Sequence, residues 1–425
     1  EKLAGEKEYE GSNRIVKKLE NGLELIVDQN PDSKIFAAHI LFKNRSLMEP
    51  EGKDGISSFV HRLLLKGTAN MSEEDLLDSL HSISARVKVV DNPYIPYDDR
   101  YTKNYFSYLR FETVDEYYAA GLNLLSQIVN DQGFSTQAVE DVRKEMLNLL
   151  EIEEESLKQT GRRLFNYYLF KDHPFSKSVM GTDSTILKIS LEDVNEFYKI
   201  YFNPANIILS IVTNIPADSI LEHVEQIWVR KSDFQTWEPE DYLLQRTAGK
   251  KTHTVELGKM QSYIYYGYIF PVKEEDKLPL ILTVQMLGSD ISFRIREKLG
   301  MAYSVQADID FWRDKGWITV SLGTQKENVE KVRREIRMVF SDFSGKRINA
   351  EDLNRQKNAL KGRELMRRLS RINQAYYLGL IYFLSGDTGY YDRFFSEIDE
   401  IGIEKVYEVR ERYIQQDNYV EVIVR

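Results

Sequence analysis

A chain of 425 residues is long enough for two or more ordinary domains, and 42% hydrophobic with 29% charged residues is the composition of a globular protein. The net charge of −10 gives no electrostatic support to a nucleic-acid or anionic-membrane role, and no apolar run approaches the roughly 18 residues that span a bilayer. With no cysteine, disulfides, thiolate zinc sites and cysteine nucleophiles are excluded, while either redox compartment is allowed. The sequence opens at Glu1 and not at Met, which fits a removed signal peptide or a trimmed chain.

Residues 22–28 (NGLELIV) and 36–43 (FAAHILFK) have strand composition. Helical periodicity follows over Glu73–Ser84, Val114–Asn130 and Thr136–Ser156. Between the first two, residues 85–110 carry Pro93 and Pro96, and proline removes a ladder donor, so this segment is a poor edge for strand addition. Ser190 followed by Asp193 resembles a capping box opening a helix. Residues 231–250 have weak periodicity and read as a linker. Beyond it, residues 253–257 (HTVEL) and 262–270 (SYIYYGYIF) again read as strands, and Glu327–Ser344 and Glu351–Leu369 as helices.

Two segments repeat. Residues 192–212 (EDVNEFYKIYFNPANIILSIV) and 404–424 (EKVYEVRERYIQQDNYVEVIV) match without a gap at an offset of 212 residues, aligning Glu192 with Glu404, Tyr201 with Tyr413 and Asn206 with Asn418. Each copy reads as helix, turn and buried strand. The chain therefore divides into an N-terminal half, residues 1–230, the linker 231–250 and a C-terminal half, residues 251–425. Strands and helices mix without regular βαβ alternation. The expected class is α+β, two homologous halves, each a mainly antiparallel sheet with helices packed on it.

Residues 55–68 (GISSFVHRLLLKGT) closely resemble the zinc-helix segment of the M16, pitrilysin-like, zinc-peptidase family, G-L-x-H-F-L-E-H-x-L-F-K-G-T. The gapless alignment places the family's first zinc-ligand histidine on Ser58, its catalytic glutamate on His61 and its second histidine on Arg62. Two histidines at i and i+4 share a helical face and grip Zn²⁺ together; serine and a permanently charged guanidinium do not. No carboxylate stands at the general-base position. The family's third ligand, a glutamate on a later helix, falls on Glu151 in residues 144–152 (KEMLNLLEI). Ser58 and His61 stand one turn apart, yet no G-x-S-x-G elbow or acidic orienter accompanies them. His61 reads as an ordinary polar residue near a helix surface, and the run Glu151–Glu155 as a solvated face. His39, His81, His173, His223 and His253 show no ligand spacing.

Residues 289–305 (SDISFRIREKLGMAYSV) resemble the second-half signature of the same family, placing Arg296 and Tyr303 at its arginine and tyrosine positions. The resemblance implies that these side chains hold substrate and stabilise the oxyanion of a zinc centre, as preorganised donors. The alternative is structural: Arg296 paired with a carboxylate and Tyr303 in a core. Weaker matches are 173–181 (HPFSKSVMG) and 201–207 (YFNPANI).

The resemblance implies a clamshell architecture and a non-catalytic partner subunit of a heteromeric M16 endopeptidase. In this reading Arg296 and Tyr303 act in trans, and the zinc sits in a zinc-motif-bearing partner, with no cofactor in this chain. Unfolded peptides are the implied substrates, and of the two bacterial compartments the periplasm is favoured over the cytoplasm. The rival readings are a catalytically dead structural or peptide-binding protein, like the respiratory-complex core proteins, and one half of a double-length protease. The mitochondrial-processing-peptidase α subunit is a poorer fit, because residues 286–294 (MLGSDISFR) lack its glycine-rich loop.

Overall fold

The computed structural model describes residues 14–91, 102–230 and 242–425. Pro93, Pro96 and most of the sequence linker lie outside them. In chain order the first stretch comprises β1 (Arg14–Lys18), β2 (Glu24–Gln29), β3 (Ile35–Lys43), α1 (Arg45–Met48), α2 (Ile56–Leu63), α3 (Glu73–Ser82), β4 (Arg86–Lys88), β5 (Phe106–Val114), α4 (Tyr118–Asn130), α5 (Thr136–Glu155), α6 (Leu157–Phe170), α7 (Asp183–Ile186), α8 (Leu191–Tyr201), β6 (Ile207–Thr213) and α9 (Ala217–Ile227). The second comprises β7 (Lys250–Val255), β8 (Gln261–Pro271), α10 (Lys277–Ser292), β9 (Val305–Trp312), β10 (Lys315–Gln325), α11 (Val329–Gly345), α12 (Ala350–Arg367), α13 (Arg371–Ser385), α14 (Tyr390–Glu400), α15 (Ile403–Tyr413) and β11 (Tyr419–Val424).

The expected α+β class and the duplication are both present. One sheet has the order β1-β2-β6-β3-β5-β4 and the other β7-β11-β8-β10-β9. In each, the strand after the repeated helix pairs parallel on one side and antiparallel on the other: β6 with β2 and β3, β11 with β7 and β8. The helices α8 and α15 begin and end 212 residues apart, the offset read from the sequence. Ser190 caps α8 as a full capping box with Asp193.

Two compact units result, and neither is a continuous stretch of chain. The first gathers the described residues within 1–151, 177–241 and 367–389; the second gathers those within 152–176, 242–366 and 390–425. The first unit is thus completed by α13, which packs on β3 and β6, and the second by α6, which packs on β8 and β11. Side chains fix each helix. Arg371 donates to the carbonyls of Asn30 (2.6 Å) and Ser33 (2.8 Å), and Arg110 donates to Asn373 Oδ1 (2.8 Å). In the second unit Phe165 stacks on Tyr265, with ring centroids 5.5 Å apart, and the Tyr265 hydroxyl donates to the Lys158 carbonyl (3.0 Å). Both sheets are therefore covered on two faces. That is why β3 and β8 are buried along their whole centres and read as continuous apolar runs without alternation.

The helical run Glu274–Lys298 is long and apolar enough, by composition, to cross a membrane. More than half of its apolar window is buried, with Leu280, Leu282, Leu287, Ile291 and Ile295 fully inside the second core. It is apolar because it is surrounded by protein.

Candidate functional site

Helix α2 carries three of the sequence-predicted positions, and all eight of its residues are buried. Ile56, Phe59, Val60 and Leu63 face the first core. The helix enters through Gly55, at φ 89°, where a Cβ would come within 2.7 Å of the Met180 carbonyl oxygen. Only glycine adopts this backbone at that spacing. The close approach brings residues 178–181 onto the start of α2.

Ser58 meets that segment. Its Oγ donates to the Val179 carbonyl (2.8 Å) and accepts from Arg45 Nη2 (3.1 Å), while Arg45 also donates to the same carbonyl. Arg45 is fully buried and lies 3.4 Å from Glu49, one turn on. Glu49 accepts in turn from the backbone amides of Gly55 (3.2 Å) and Ser57 (3.3 Å). Burial raises the Glu49 carboxyl above the usual range, against the pull of Arg45.

His61 is 1% exposed, not the surface residue expected from the sequence. Phe42 and Phe202 close around its ring, each with its centroid 5.1 Å away. Its Nε2 lies 2.7 Å from Ser107 Oγ, Ser107 lies 2.7 Å from the Tyr201 hydroxyl, and that hydroxyl lies 3.1 Å from the Phe42 carbonyl. Tyr201 has one proton for two acceptors, Ser107 Oγ and the Phe42 carbonyl, and the His61–Ser107–Tyr201 chain closes in either sense. Burial, with Arg45 and Arg62 nearby, lowers the His61 pKa to about 3, so the ring is neutral.

Arg62 is buried, and its Nε lies 3.2 Å from Glu145 Oε1 on α5. The pair is close but poorly aligned, and Nε and Nη1 of Arg62 make no hydrogen bond. Burial lowers the Arg62 pKa, with Glu145 opposing. Glu151, the expected third position, is exposed near the end of the same helix and makes no polar contact with Ser58, His61 or Arg62.

This donor set does not fit Zn²⁺. The serine hydroxyl is engaged by Val179 and Arg45, the imidazole Nε2 is taken up by Ser107, and the third position is a cation. Among the described residues no group of three or more His, Asp or Glu side chains is placed to hold a metal ion. Sequence reasoning missed Arg45, Glu49, Glu145, Ser107 and Tyr201. Arg45 sits on a four-residue helix with no periodicity to mark it, and Ser107 and Tyr201 reach His61 from distant elements.

In the second unit, α10 runs into a turn of π-helix over Phe293–Lys298 that bears Arg296. Gly300 then reverses the chain at φ 60°, and its amide bonds the Arg296 carbonyl (3.1 Å). Met301 is tied at both ends: its amide donates to the Ile295 carbonyl (2.9 Å), and its carbonyl accepts from Thr324 Oγ1 (2.7 Å). Tyr303 follows just before β9 and is 91% exposed, so it is not a core aromatic. Arg296 is also exposed and lies 3.4 Å from its neighbour Glu297. Both partners of that pair are more than half exposed, so solvent screens it to a weak interaction.

The duplicated sheet-and-helix unit is the fold of the M16 structures on which this chain superposes. The family model for insulinase, peptidase family M16, matches residues 25–183, and the model for the peptidase M16 inactive domain matches residues 188–360. The chain belongs to the M16 family. It is 21% identical over 397 residues to the uncharacterized zinc protease YmxG of Bacillus subtilis, covering 91% of this chain and 92% of that protein. It is 23% identical over 359 residues to the non-peptidase homolog YmxG of Helicobacter pylori, covering 80% and 79%. Among solved structures, a peptidase M16 inactive domain from Pseudomonas fluorescens superposes with a TM-score of 0.85 at 15% identity, covering 97% of this chain and 98% of that one.

Proposed function

We propose that this chain is a non-catalytic M16 subunit that completes the active site of a zinc-bearing M16 partner, contributing Arg296 and Tyr303 to substrate binding and oxyanion stabilisation. The observation that carries the reading is a contrast in how the two motif segments are used. Ser58, His61 and Arg62 are buried within the first unit, Ser58 and His61 hydrogen-bonded there and Arg62 set beside Glu145. Arg296 and Tyr303 are held on a braced turn with their polar ends in solvent. A solvent-exposed guanidinium, held only by a screened pair with Glu297, and an exposed phenol on a fixed backbone are donors of the kind that stabilise developing negative charge. The zinc, its water and the general base belong to the partner in this reading, and the substrate is an unfolded peptide.

The test is reconstitution. A zinc-motif-bearing M16 protein from the same source is assayed on an unfolded peptide alone, with this chain, and with Arg296→Ala. Turnover that needs this chain and falls with Arg296→Ala supports the reading. A partner fully active alone contradicts it.

A further inference from the structure

The two units share one plan, and one place in it is filled in the first and open in the second. In the first unit β2 lies parallel to β6 and is flanked on its outer side by β1 through five antiparallel register pairs. The equivalent strand of the second unit is β7, parallel to β11, and it ends the sheet. No described residue hydrogen-bonds to its outer side.

The ladder with β11 says which groups are free. Tyr419 N–H bonds the Gly249 carbonyl, Arg425 N–H bonds the Val255 carbonyl and Leu257 N–H bonds the Arg425 carbonyl. Within a strand, the N–H and C=O of one residue point to the same side and alternate along the chain. The odd-numbered residues therefore serve β11, and Lys250, Thr252 and Thr254 aim theirs outward. All three are exposed. An open edge of this length is a template for another strand.

Charge selects the occupant. In the first unit β1 brings Arg14 opposite Asp28, an ion pair at 3.3 Å, and Lys18 opposite Glu24. The acids are on the inner strand and the bases on the flanking one. Through the repeat, Glu24 beside Ile208 corresponds to Lys251 beside Val420. The charge is inverted at the equivalent position. Lys250 adjoins it, and the Lys171 amine contacts it and lowers the Lys251 pKa.

We propose that the outer edge of β7 takes an extended acidic segment of another polypeptide as a sixth strand, bonded through Lys250, Thr252 and Thr254 with an acidic side chain opposite Lys251. Main-chain bonds supply the affinity and the lysines the selectivity, as in other cases of strand addition. The proposal does not depend on the chain's role beside a zinc subunit, and its test uses the chain alone.

The full chain is titrated with a labelled peptide alternating Glu and Val, and with one alternating Lys and Val, by fluorescence anisotropy at low salt. The acidic peptide is expected to bind at least about tenfold more tightly. Thr254→Pro deletes an outward donor without removing a bond to β11, and is expected to weaken binding by a similar factor with an unchanged melting temperature. Lys251→Glu is expected to reverse the preference between the peptides. Hydrogen exchange should show new protection over residues 250–256 on binding. No saturable binding of the acidic peptide at about 1 mM, equal affinity for both peptides, unchanged affinity in Thr254→Pro, or protection elsewhere would each overturn the proposal.

Discussion

The Nε of Arg62 lies 3.2 Å from Oε1 of Glu145, so the buried guanidinium of α2 is met from α5 by a glutamate six residues before Glu151. Helix α5 still faces α2 with a carboxylate, but that carboxylate balances a cation. The side chain of Arg62 is 4% exposed and that of Glu145 48%, so one partner is buried and the other is largely wet.

That asymmetry predicts the effect of removing the cation. Arg62→Met leaves Glu145 able to turn to water, fills the space with a flexible apolar chain and deletes a poorly paired buried charge. Stability in urea is expected to stay the same or to rise by about 1 kcal/mol. A loss of more than about 2 kcal/mol would mean that the pair itself holds α2 in place.

His61 predicts a pH dependence. Its pKa falls from an ordinary 6.5 to about 3 on folding. Below the ordinary value the unfolded chain binds a proton that the folded chain refuses, so this contribution is full above pH 6.5 and is lost as the pH falls toward 3. From pH 7 to pH 5 the loss is about 2 kcal/mol. His61→Gln keeps a hydrogen-bonding group for Ser107 and does not titrate. Its stability should fall less over this interval, by about that amount, in parallel denaturation curves. Identical slopes for the two proteins would show that His61 is not held neutral.

The exchanged helix α13 approaches β6 through Gly379, where a Cβ would lie 2.5 Å from Ser210 Oγ. Gly379→Ala should destabilise the first unit by roughly 1–3 kcal/mol. The Ser210 hydroxyl is fully buried and has no hydrogen-bond partner. Ser210→Ala should therefore be tolerated alone and should recover most of the loss in the double variant. Additive losses in calorimetry would place the strain elsewhere.

Metal analysis of the chain, purified without chelator and dialysed against zinc, should find less than stoichiometric zinc. The motivation is the donor set at Ser58, His61 and Arg62. One tightly held zinc per chain, lost in Glu151→Ala, would refute this.

Much of the fold was legible because duplication wrote it twice. The gapless match of 192–212 with 404–424 fixed α8–β6 and α15–β11, and the strand runs at 22–28, 36–43 and 262–270 became β2, β3 and β8. The exchange of α6 and α13 was not legible, because an apolar helical stripe shows that a helix is covered and not which sheet covers it. The arginine–tyrosine segment could be located from its spacing, but the exposure of Tyr303 depends on the turn braced by Gly300 and Thr324. The burial of His61 was misread for a similar reason. Ser107 takes up its Nε2, and Tyr201 takes up Ser107, from positions 46 and 140 residues further along the chain, and no local pattern announces them.

The central claim is that Tyr303 acts on a partner's zinc site, and a single comparison tests it most directly. The chain carrying Tyr303→Phe is combined with a zinc-motif-bearing M16 protein from the same source, and kcat on an unfolded peptide is measured beside the wild-type assembly. Loss of one oxyanion donor typically costs on the order of 100- to 1000-fold. Because Tyr303 is 91% exposed and makes no packing contact that stability needs, assembly and melting temperature should not change. A fall of that size in kcat, with assembly intact, is the predicted result; an unchanged kcat in a correctly assembled complex would contradict the account.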